Sequence, residues 1–153
     1  MPYEKLLRIA DPKLEIYERP MSPRNKGFYS DNIIWINRNL PTLVEKACAL
    51  AEEIGHHETT VGDIIDQTKI PNRKQERRAR VWAHERLVPL PSIVDAHKAG
   101  VRSRHELAEH LQVTESFLSE ALQRYQEKYG LYVKVGNYTI SFEPLGVIEL
   151  FEF

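Results

Sequence analysis

The chain has a single cysteine, Cys48. No internal disulfide is possible, and a reducing compartment suits it. It has no run approaching the ~20 apolar residues of a membrane-spanning helix. Its opening residues, Met1-Pro2-Tyr3-Glu4-Lys5, lack the apolar stretch of a secretion signal. An excess of charge of either sign is also missing. Lys and Arg number 21 against 22 Asp and Glu, leaving −1. That balance excludes chain-wide electrostatic attraction to nucleic acid or membrane. The sequence shows no internal repeat and no low-complexity segment. What remains is 153 residues, 42% apolar and 28% charged. This is enough chain for a packed core without staples. The expectation is a soluble, cytoplasmic protein.

Local patterning predicts an α+β fold. Pro2 suits a first helical turn, and Tyr3, Leu6, Leu7 and Ala10 recur at helical spacing before Asp11-Pro12. Leu14 to Tyr17 alternates as a strand does. Pro20 to Lys26 reads as a loop. Gly27-Phe28-Tyr29 and Ile33-Ile34-Trp35-Ile36 flank Ser30-Asp31-Asn32 as a β-hairpin. A helix opens at Pro41-Thr42 with an apolar stripe of Leu43, Ala47, Leu50 and Ile54, and Gly55 suggests that its end is near. Thr59 to Pro71 reads mostly as loop, with Val61 to Ile65 briefly ordered. A second strong helix runs from about Asn72 to Val88, ended by Pro89 and Pro91. Residues 91–129 read as helical, with a helix, tight turn and helix over Ser103 to Lys128. Leu131 to Phe142 is a hairpin turning at Gly136-Asn137, and Gly146 to Phe153 adds an extended piece.

The chemistry concentrates in Ala51-Glu52-Glu53-Ile54-Gly55-His56. This is the zinc-peptidase pattern HExxH with Glu52 in place of the first histidine. The pattern needs two ligands one helical turn apart and a glutamate beside the first as general base. Glu52 and His56 share a helix face, and Glu53 stands at the base position. The bland reading of the same residues is a solvated helix face. Glu76 lies on the small apolar face of its helix with Ala79, Ala83 and Leu87, where an acid needs a partner. Its alternative is an ordinary surface pair with Arg80.

These residues resemble the ImmA/IrrE family of metallopeptidases, in particular its compact members from phages and mobile elements. The resemblance runs through Lys26 to Tyr29, Ile33 to Asn37, Lys46 to His56, and Glu76 to Pro89. It covers residues 1–90 well and the helix-turn-helix-like part more loosely. It implies a minimal zincin-like metallopeptidase domain over 1–90. Residues 91–153 would then be a small helical module, helix-turn-helix-like, ending in the hairpin and packed on the first domain. It also implies a Zn2+ site in which Glu76 joins Glu52 and His56 as ligands and Glu53 is the catalytic base. Two carboxylates would leave such a zinc formally neutral, where the usual His-His-Glu set leaves +1, and a less positive site activates water less. The implied function is endopeptidase cleavage of a repressor-type DNA-binding protein, relieving repression. The alternative is a catalytically silent protein of the same fold that binds a repressor. The edge of the Trp35 strand is the expected place for an extended substrate.

Other candidates are weaker. His57, Glu58 and Asp63 stand near enough to replace a ligand. His105 and His110 are five apart, about 140° around a helix, and read as surface. Cys48 reads as a buried small hydrophobe. Lys69, Arg73, Lys74, Arg77, Arg78, Arg80 and Arg86 form a basic run, more often a solvated face than a binding site. Glu115, Glu120 and Glu127 make the second helix of the turn motif too acidic for a recognition helix, so direct nucleic-acid binding is not expected.

Overall fold

The computed structural model describes residues 2–60 and 73–149. The α+β class is confirmed: these residues form six helices and two three-stranded sheets. The chain divides into two compact units, Met1–Ala83 and His84–Phe153.

In the first unit, α1 (Pro2–Ile9) leads to β1 (Glu15–Arg19), β2 (Gly27–Ser30) and β3 (Ile33–Asn37). The hairpin forms where the sequence predicts it. Asp31 and Asn32 both take positive φ, 48° and 64°, as a two-residue turn between right-twisted strands requires. The sheet order is β1-β3-β2, with β1 parallel and β2 antiparallel to β3. The strand of Trp35 is therefore central, with both edges paired. This corrects the expectation that it offers an edge to substrate; the outer strands are β1 and β2. Alternation along β3 buries Ile34 and Ile36 completely. α2 (Leu43–Thr60) supplies Ala47, Leu50, Ala51 and Ile54 to the same core.

α2 does not stop near Gly55. It continues to Thr60, and the glycine serves a helix contact. A Cβ at Gly55 would stand 2.4 Å from the carbonyl oxygen of Ala79. Ala79 lies on α3 (Arg73–Leu87) and is fully buried. The close approach of the two backbones requires a residue without a side chain. The expected loop and short ordered piece over residues 61–71 lie outside the described residues.

The second unit contains α4 (Leu90–Lys98), α5 (Arg104–Leu111), α6 (Glu115–Tyr129), and the meander β4 (Tyr132–Val135), β5 (Tyr138–Phe142), β6 (Leu145–Glu149). Ser103 caps α5 by accepting from Glu106 N at 3.1 Å, and Thr114 caps α6 by accepting from Phe117 N at 3.1 Å. Gln112, at φ 58°, makes the tight turn between them. The core joins Leu107, Leu118, Leu122, Ile140 and Phe142. The Tyr125 hydroxyl donates to Val88 O at 2.7 Å. No helix among the described residues is long and apolar enough to cross a membrane.

Candidate metallopeptidase-type site

The apolar stripe of α2 faces the sheet and leaves Glu52, Glu53 and His56 half-buried on its flank. The Gly55–Ala79 approach then draws α3 against that flank. Its result is a contact between His56 Nε2 and Glu76 Oε2 at 3.3 Å. The His56 side chain is 13% exposed and that of Glu76 39%. Glu76 thus does not point fully inward as the sequence suggests, but it meets a predicted site residue.

Glu53 lies against β2. A Cβ on Gly27 would stand 3.1 Å from Glu53 Cγ and 3.1 Å from Trp35 O. The glycine therefore leaves room for the glutamate beside the sheet. Burial pushes the Glu53 carboxyl up to about 8, with the charges of Glu52 and Glu76 adding to the effect. In this state Glu53 keeps its proton at neutral pH. The three glutamates thus form one electrostatic group, with His56 in contact with one of them.

The side chains can be tested for zinc. Two donors about 2.1 Å from one tetrahedral ion stand about 3.4 Å apart. The 3.3 Å between His56 Nε2 and Glu76 Oε2 fits that edge. The carboxylates crowding Glu53 are hard donors that a divalent cation would neutralise. Among the described residues, however, no three His, Cys, Asp or Glu side chains are already grouped as a metal cage.

His57 points away from this pair. It is 3% exposed. Its Nδ1 lies 2.8 Å from the Tyr29 hydroxyl and its Nε2 3.0 Å from Asp11 Oδ2. In the neutral ring, Nε2–H donates to the carboxylate and Nδ1 accepts from the phenol. Both nitrogens are occupied, so His57 ties the end of α2 to β2 and to the turn after α1. The hydrogen bond from His57 holds Asp11 below the usual carboxylate range. No spacing in the sequence announces this link, because its members lie 18 and 28 residues apart. Glu58 is exposed, and Asp63 lies outside the described residues.

The remaining candidates follow the sequence reading. Cys48 is buried. His105 and His110 are exposed, with His105 bonded to Glu109 and Glu115. Of the basic run, Arg73, Lys74, Arg77, Arg78 and Arg86 are exposed and Arg80 is half-buried, while Lys69 lies outside the described residues. Glu115, Glu120 and Glu127 are also exposed.

No curated protein matches the chain in sequence. The family description Peptidase_M78, IrrE N-terminal-like domain, matches residues 9–123. That span takes in both strands of the hairpin, the whole of the altered signature and Glu76, and the chain belongs to this metallopeptidase family.

Proposed function

We propose that the protein is a zinc-dependent endopeptidase of zincin-like architecture that acts in the cytoplasm on a repressor-type DNA-binding protein. One observation carries this reading: the His56–Glu76 contact lies beside Glu53, which is buried among like charges. Such crowding costs stability, and groups perturbed in this way gather at functional sites. Glu52, His56 and Glu76 would hold the zinc. Bound there, the ion would supply Lewis-acid polarisation of the scissile carbonyl and of water.

The chain's own part is proton handling and placement. Next to a cation the Glu53 carboxylate is favoured over its acid. It can then take a proton from the attacking water and return it to the leaving amine. Gly27 keeps β2 close to Glu53, and β2 is an outer strand of its sheet. An extended substrate added along β2 would run past Glu53 with its backbone paired.

A second reading is a silent member of the family that binds a repressor without cutting it. The carboxylate at the first ligand position supports it. The deciding experiment is metal analysis of protein purified without a chelator or metal-binding tag, followed by incubation with repressors encoded beside its gene. Stoichiometric zinc and a defined cut that Glu53→Gln removes are expected. Tight repressor binding with neither zinc nor cleavage would establish the silent reading instead.

A further inference from the structure

The face of the first sheet that turns away from α2 is not an ordinary solvated surface. The register sets Tyr17 opposite Trp35 and Phe28 opposite Trp35. Three aromatic rings therefore lie abreast, one from each strand. Tyr17 is 45% exposed and Phe28 56% exposed. The Tyr17 and Trp35 rings are 5.1 Å apart at 31°, and Arg19 Cζ lies 4.7 Å from the Trp35 centroid.

The charge beside this row is positive. Two residues along the same face of β3, Asn37 is buried and pins the loop between β1 and β2. Its Oδ1 accepts from Met21 N at 3.0 Å, and its Nδ2 donates to Ser22 O at 3.2 Å and Asn25 O at 2.7 Å. That loop carries Arg24 and Lys26, both exposed. The nearest acid on β1, Glu18, falls on the opposite face by alternation, where it pairs with Lys46 at 2.7 Å. Glu15 is the acid on the aromatic face, beyond Tyr17 and away from Arg19.

We propose that this face binds single-stranded nucleic acid, with bases on the exposed rings of Tyr17 and Phe28, which flank the half-buried Trp35, and phosphates along Arg19, Arg24 and Lys26. Every base has a flat face that stacks on an aromatic ring, and cations follow the backbone. Bases stacked within a duplex cannot lie on rings fixed to a sheet. An apolar peptide would use the rings but would have no need of the cationic border. This site is separate from the metallopeptidase-type cluster, so the function proposed above can fail without affecting it.

The test is fluorescence anisotropy of the full-length chain with a labelled oligothymidylate of about ten nucleotides. Micromolar binding that weakens steeply with salt is expected. Tyr17→Ala and Phe28→Ala should each weaken it about fivefold or more. Arg24→Gln with Lys26→Gln should lower the salt slope by about two. Circular dichroism of each variant separates loss of binding from loss of fold. No binding at about 100 µM protein in low salt would overturn the proposal. So would equal affinity for duplex, or binding lost with Arg73→Gln and Arg77→Gln but untouched by removing the rings. Repressor binding that depends on the rings, without oligonucleotide binding, would give the face to a protein instead.

Discussion

Gly55 on α2 and the carbonyl of Ala79 on α3 are close enough that a Cβ would stand 2.4 Å from the oxygen. This contact, one residue before His56 and three after Glu76, sets the distance between the two side chains. Gly55→Ala therefore tests the scaffold of the site. Alanine usually favours a helix over glycine by about 1 kcal/mol. Overpacking against a buried backbone costs about 1–3 kcal/mol, and here no flexible side chain can yield. The expected result is a net loss of stability in urea denaturation and weaker zinc binding in competition with a chelator. A more stable variant would show that the helices can separate without cost.

Glu53→Gln should have a stability effect that depends on pH. Folding raises the Glu53 carboxyl from 4.5 to about 8. Between those values the native state holds more protons than the unfolded chain, so stability falls as pH rises. An amide holds no such proton. In metal-free protein the variant should melt several degrees above the wild type near pH 9 and close to it near pH 4. Parallel melting curves across the range would mean that the carboxyl is not held in its acid form.

Glu52→His restores the full HExxH pattern on the same helix face. The ligand set would then carry one carboxylate fewer, leaving a bound zinc at +1. Zinc should bind at least as tightly as in the wild type, and cleavage near neutral pH should rise or appear. Glu52→Ala should lose about tenfold or more in zinc affinity, since two strong ligands remain. Unchanged affinity in both variants, measured against a chelator, would remove Glu52 from the ligand set.

Tyr29→Phe leaves the buried Nδ1 of His57 without its phenol. An unsatisfied buried acceptor costs about 1–3 kcal/mol, so a lower urea midpoint is expected. Asp11→Asn should show a different signature. The Asp11 pKa is lowered in the fold by the bond from His57. Its contribution is present above its unfolded pKa and is lost as pH falls through the folded value. The gap between wild type and Asp11→Asn should therefore be widest near neutral pH and should close in acid.

Much of this architecture is legible from local spacing. Asp31-Asn32 between alternating strands announces the hairpin. The four-residue step from Glu52 to His56 announces a shared helix face. What escapes is everything set by contact between distant segments. Alternation in β1 and β3 is compatible with many strand orders, so it cannot place Trp35 at the centre of the sheet. A glycine after an apolar stripe looks like a helix end, and only the arrival of α3 reveals its purpose. His57 reads as a spare ligand because its partners, Asp11 and Tyr29, are remote in sequence.

The order β1-β3-β2 also bears on how the first sheet assembles. β2 and β3 close across two residues, whereas β1 must find β3 in parallel across the loop and β2 that lie between them. Short closures are fast, and non-local parallel pairing is slow. The hairpin should therefore act as a template onto which β1 is added late. In refolding kinetics, Ile34→Val should slow folding, whereas Ile16→Val should mainly speed unfolding. In a nascent or stressed chain the seam between β1 and β3 would then be the first to part, opening the edge of β3 to pairing with another molecule.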